Sequence, residues 1–169
     1  MNGELFLLIL AVAYSLVQSS FVSDTLDLVK AENQTYAHQI LNQQLSLVSY
    51  CGSDITNCHQ DKFSYGYVPT ELFLDDFYIP SHDNIKQKIV SCYNSGYVFS
   101  FFAPGNQERI AKFGFNKSQV FSYAEAYSHN RVNIISARWD AIPNNLCSIP
   151  GQTFTQDNVD FLLINYVGK

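Results

Sequence analysis

Residues 1–30, MNGELFLLILAVAYSLVQSSFVSDTLDLVK, decide how the rest of the chain is read. Leu5 to Ser23 form a run of 19 residues without a charge, and the first basic residue is Lys30. As a helix such a run reaches about 28 Å, close to the apolar thickness of a bilayer. A cleaved secretory signal would carry a positive n-region, an apolar core of about 7–15 residues and a small-residue cleavage site. Here the n-region ends in Glu4, and the best cleavage candidate is Val17-Gln18-Ser19 before Ser20. Ser15, Gln18, Ser19, Ser20 and Ser23 dilute the second half of the run. The expectation is a retained anchor over residues 1–23. Glu4 is then a carboxylate at the membrane entry, either seeking a cation or solvated among the head groups.

The residues that follow support one long helix. No glycine or proline occurs over the 48 residues from Glu4 to Cys51. Each glycine in a helix interior costs about 1 kcal/mol and each proline about 3, so their joint absence is a helical signal. Gly52 stands where a left-handed C-cap would end the helix. Past the uncharged run the pattern turns amphipathic. Leu26, Val29, Ala37, Ile40, Leu41, Leu45 and Val48 recur mostly at spacings of three and four. Asp27, Lys30, Glu32, Asn33, Gln43 and Gln44 fill much of the remainder. Leu41 and Leu45 are therefore expected in the core, with Gln43→Ala and Gln44→Ala close to neutral.

Composition bounds the partners. The chain has 169 residues, 47% hydrophobic and 15% charged, the size of one domain plus its N-terminal segment. Its 10 basic and 15 acidic residues give a net charge of −5 with no basic run. Nucleic-acid binding needs a basic face to displace counterions from phosphate, so no nucleic-acid partner is expected.

Four cysteines, Cys51, Cys58, Cys92 and Cys147, all lie beyond the anchor. Four allow three pairings, and spacing alone does not choose among them. Cys51 and Cys58 bracket the short polar loop GSDITN, so the economical arrangement is Cys51–Cys58 with Cys92–Cys147. The other states are buried free thiols, or a metal held by Cys51, Cys58 and His59. The last has a cysteine spacing wider than structural zinc sites use. Disulfides would place residues 24–169 outside the cytoplasm.

The rest of the chain reads as a compact α+β head. KIVSCY and YVFSFFA flank Asn94-Ser95-Gly96, a hairpin signal. Asn106 could cap a short helix, QERIAKF, and QVFSYAEAYSH forms a second helix or an irregular cover. VNIISA and VDFLLINYV are β-prone, the latter apolar enough on both faces for a central strand. Between them IPNNLCSIPG reads as a proline-bounded loop holding Cys147. Three or four strands and the amphipathic half of the long helix, to about residue 51, could bury one another.

Chemistry leaves little trace. There is no glycine-rich phosphate loop, no GxSxG elbow and no HExxH. His38, His59, His82 and His129 are scattered, and Asp75-Asp76 is an adjacent pair that would point to opposite faces in a strand. Trp139 beside Asp140 reads as a core or rim aromatic rather than a carbohydrate platform. Asn33-Gln34-Thr35 and Asn116-Lys117-Ser118 match the N-glycosylation pattern. No cofactor, metal or enzymatic activity is expected.

Met1-Asn2-Gly3, the apolar stretch ending in AVAYSLVQ and the helix end LSLVSY are similar to the PilM-like proteins of type IV pilus systems on conjugative plasmids. Gly96-Tyr97-Val98-Phe99, the Pro104-Gly105 turn, IAKF and GFNKSQVF resemble the middle of that family. The four cysteines and the polar stretch 53–85 fall outside the resemblance. It implies a single-pass inner-membrane protein with its C-terminal head in the periplasm. Such a protein supports pilus assembly and conjugative transfer, with pilus assembly proteins or pilin subunits as partners. The neighbouring body plan is that of a type IV pilin, a half-apolar helix packed on a small antiparallel sheet. A pilin's glutamate lies five residues past its glycine cleavage site, whereas Glu4 directly follows Gly3. An extracytoplasmic enzyme, secreted or anchored, is the alternative from another class.

Overall fold

A computed structural model describes residues 3–58, 66–74, 89–105, 114–129, 131–136, 140 and 142–168; the side chains of 3–9, 16–22, 55, 135 and 136 lie outside it. Its elements are α1 (Gly3–Ser53), β1 (Ile89–Asn94), β2 (Tyr97–Phe102), α2 (Lys117–Ser128), β3 (Asn133–Ser136), β4 (Asn145–Ile149), β5 (Gln152–Thr155) and β6 (Phe161–Tyr166), with 3-10 turns at Ile55–Cys58 and Thr70–Leu72. The fold is α+β, with α1 and α2 on an antiparallel sheet of order β1-β2-β6-β3.

Strict alternation along the strands builds two cores from one sheet. On one face Ile89, Phe102 and Leu163 pack beneath Tyr36, Ala37, Ile40 and Leu41 of α1 and Val120, Phe121 and Ala124 of α2. On the other, Val90, Cys92, Phe99, Phe101, Leu162 and Ile164 pack beneath Leu146, Cys147 and Phe154 of the β4–β5 hairpin. The apolar run of β6 fits its interior place between β2 and β3, with both faces covered. A third cluster, with Leu47, Cys51, Cys58, Val68 and Val98, seals the end of α1.

The β1–β2 hairpin turns through Ser95 (φ 54°) and Gly96 (φ 85°), the positive-φ pair of a type I′ turn. Residues 66–68 then join the two sheets. The Val68 amide donates to Ser91 O (3.0 Å) and the Tyr93 amide to Gly66 O (2.7 Å), while Gly66 also bridges to Ser148 of β4. A Cβ on Gly66 would lie 2.5 Å from Tyr93 O, so only glycine fits between the layers there.

The structure corrects four expectations. No helix among the described residues is long and apolar enough to cross a membrane, so the single-pass inner-membrane placement is withdrawn. From Asp24 onward α1 carries Asp24, Asp27, Lys30 and Glu32 within nine residues, whereas a span needs about 20 mainly apolar residues. Gly52 is helical and has no positive φ; α1 runs to Ser53 and leads into the Ile55–Cys58 turn. The stretch IPNNLCSIPG is irregular only over 142–144, and Asn145–Ile149 is strand β4. Pro150-Gly151 forms the tight turn of the β4–β5 hairpin, with proline fixing φ and Gly151 at φ 84°. Finally Gln43 and Gln44 are buried, while Leu26, expected on the packed face, is exposed. The helix QERIAKF with its Asn106 cap, and most of the irregular stretch 59–85, lie outside the described residues.

Candidate functional surface on the long helix

Every described side chain of α1 before Val29 is exposed. Leu10 and Val12 are each 50% exposed and Tyr14 67%, and Leu26 and Leu28 continue the apolar content toward the head. Leu10–Ser15 covers more than one and a half turns, so this arm shows apolar groups around its circumference rather than along one stripe. A helix apolar all round is stable only when surrounded.

Where the arm meets the head, α1 clasps the start of α2. The Gly114 amide donates to the Glu32 carboxylate (3.3 Å), and the Asn116 amide to Asn33 Oδ1 (3.1 Å). Asn33 Nδ2 donates to Gln119 Oε1 (3.1 Å), and Asn116 Oδ1 caps α2 by accepting the Gln119 amide (3.1 Å). Tyr36 follows one turn on; burial first, then the charge and hydrogen bond of Glu32, push its phenol up to about 12. Tyr67 is likewise raised, by burial and then by the charge of Glu71.

Two turns further down α1, a polar seam crosses the helix–sheet interface. Gln43 Nε2 donates to Ser91 Oγ (2.7 Å) and Ile89 O (3.3 Å), and Ser91 Oγ lies 3.3 Å from Ser100 Oγ. Gln44 Nε2 donates to Asn165 Oδ1 (2.9 Å) and Val98 O (3.2 Å), and Asn165 in turn donates to Arg131 O (2.7 Å). The reading of Gln43 and Gln44 as lying off the packed face, and so close to neutral on replacement by alanine, missed this seam. Ser91, Ser100 and Asn165 within otherwise apolar strands were the signal that could have found it, since their alternation puts all three on the helix side.

The cysteines form two bridges. Cys51–Cys58, with Cα atoms 5.2 Å apart, staples the end of α1; Cys92–Cys147, at 5.9 Å, ties β1 to β4. None of the four is free to bind metal, and no group of three metal-ligating residues occurs among the described residues. Two disulfides fit an oxidising compartment. His38 is exposed and stacks on Tyr127 at 4.1 Å between ring centres, and His129 ends α2 in the left-handed region. Of the two glycosylation patterns, Asn33 is buried and Asn116 is exposed. The Glu4 side chain, His59, His82, Asp75, Asp76 and Trp139 lie outside the described residues.

Helix arm, seam and staples define an α+β head carrying a long helix with apolar side chains exposed at Leu10, Val12 and Tyr14. Compared with family models, with curated proteins and with solved structures, the chain matches none.

Proposed function

We propose that this protein is a non-enzymatic, extracytoplasmic component of type IV pilus biogenesis, whose helix arm packs among the helices of pilus subunits or assembly proteins. The observation that carries the reading is the arm itself, with Leu10, Val12 and Tyr14 exposed together on a helix whose other half is locked to a folded head. An apolar circumference calls for several neighbouring helices, which pilus subunits supply and a small soluble partner does not. The resemblance of AVAYSLVQ and LSLVSY to PilM-like proteins supports the same assignment, as do the disulfides, which suit assembly outside the cytoplasm. The mechanism is geometric: the head presents the arm, and the arm is buried on assembly. A pilin-like role, as a subunit of the filament, rests on the same helix-on-sheet body plan.

Photo-crosslinking tests this directly. A benzoyl-phenylalanine at Leu10, Val12 or Tyr14 should crosslink to pilus subunits or assembly proteins identified by mass spectrometry, and one at Thr153 on β5 should not. Recovery of the chain in sheared filaments would mark it as a subunit; its absence there, with pilation lost on deletion, would mark it as an assembly component. Normal pilation after deletion, with no arm crosslinks, would reject the proposal.

A further inference from the structure

The deepest line along α1 is Asn33, Ala37, Ile40, Gln44, Leu47 and Cys51, each 1% exposed or less. Its spacing is four, three, four, three, four, the repeat of a coiled-coil seam. Such a repeat is degenerate, because a helix shifted by seven residues presents the same line to the same surface, about 10 Å away along its axis. Along this line apolar packing alone does not separate the two placements, although Tyr36 and Gln43, buried beside it, have no like residue seven positions away. The Cys51–Cys58 bridge joins residues seven apart and would travel with the helix end, leaving the degeneracy in place.

Two of the six positions break it. Asn33 is matched to the start of α2 through Gln119 Oε1 and the Asn116 amide. Gln44 is matched to the sheet through Val98 O and Asn165 Oδ1. A seven-residue slip one way puts Asn33 at the site of Ile40 and Gln44 at that of Cys51; the other way puts Gln44 at the site of Ala37. Either strands buried amides without their partners, which low-dielectric surroundings penalise. Even in its observed place Gln44 Oε1 has no partner. A half-satisfied amide on the deepest line is a poor source of stability and a good discriminator between placements.

We propose that Asn33 and Gln44 lock the axial placement of α1 on the head, and so set how far the apolar arm stands out. The lock is a property of the fold and does not depend on the pilus reading. Its test uses the disulfide-intact chain, spin-labelled through keto amino acids at Leu26 on the arm and Thr153 on β5, with pulsed electron resonance distances. The unmutated chain should give one distance. Gln44→Leu should give a second population displaced by up to about 10 Å, with a melting temperature within a few degrees of the parent. Leu47→Ala, which removes packing and leaves the lock, should melt lower and keep one distance. A single parental distance in folded Gln44→Leu overturns the proposal, as does a second population in Leu47→Ala. Should Gln44→Leu not fold, Gln44→Leu/Asn165→Leu, which strands neither amide, decides by the same criterion. Failure of both to fold would assign the seam to stability and overturn the lock.

Discussion

At the scale of single residues, burial and backbone angle decide which positions tolerate change. Gln43 spends its amide on Ser91 Oγ and on Ile89 O, a carbonyl at the edge strand β1. Gln43→Ala should therefore cost about 1–3 kcal/mol, since two buried acceptors lose a donor. Exposed Asn42→Ala, one residue away, should be neutral or slightly stabilising. Urea melts of the pair check this, and equal midpoints would mean the seam is not formed. This reverses the expectation of a neutral Gln43, and the reason is physical. Helical periodicity sorts residues by polarity, so it misplaces an amide whose partners come from strands more than 40 residues away. Backbone angle gives a second contrast. Gly66→Ala should destabilise by more than 1 kcal/mol, because a Cβ at φ +75° would meet Tyr93 O at 2.5 Å. Ser95→Asn should stabilise by about 1 kcal/mol or less, because Ser95 already holds φ 54° and Asn-Gly is the favoured type I′ pair. Thermal melts that moved both variants in one direction would contradict the turn and bridge geometry.

At the scale of elements, α1 is held by three different materials: the clasp at Glu32 and Asn33, the apolar block from Tyr36 to Leu41, and the polar seam. The junction of clasp and apolar block, where Tyr36 meets Glu32, has a pH signature. Tyr36 is 5% exposed, with its phenol pushed up to about 12, so between pH 10 and 12 the unfolded chain loses a proton that the folded chain keeps. Stability is then fully present below pH 10 and falls as pH rises toward 12, by about 2–3 kcal/mol for a shift of this size. Tyr36→Phe should remove the Tyr36 share of that fall and leave the part contributed by Tyr67; an unchanged alkaline slope would mean that Tyr36 is not buried against Glu32. The strands and α1 were legible because β-prone runs around a turn signal and a glycine-free run each favour one structural solution. The β4–β5 hairpin was not. Pro143 and Pro150 bracket β4 and suggested a loop, whereas Pro150-Gly151 is itself the turn between two short strands.

For the whole molecule, the question is what keeps two small sheets and one long helix together in a single head. Among the described residues, Gly66 and Tyr67 link β1 to β4 through isolated bridges and Asn94 Nδ2 donates to Asn145 O (2.7 Å), while the Cys92–Cys147 disulfide ties the layers covalently. The other bridge, Cys51–Cys58, closes a local turn at the end of α1. Both cysteine pairs were readable as a framework, because one pair brackets a short polar loop and leaves the other, but their unequal duties depend on which layers meet. Chain entropy makes the inequality quantitative. Cross-linking residues 55 apart constrains the unfolded chain by about 4 kcal/mol, against about 2.5 for residues seven apart. Replacing both cysteines of a pair by alanine should therefore lower stability more for Cys92/Cys147 than for Cys51/Cys58. The first loss should also expose the apolar face under Leu146 and Phe154 to hydrogen exchange, while the clasp and seam on the opposite face stay protected. Calorimetry gives the order of the two losses, and exchange mapped by mass spectrometry gives their location. If removing the local bridge cost more, or if α1 opened together with the β4–β5 hairpin, the two faces of the sheet would be one cooperative unit and the layered account would fail.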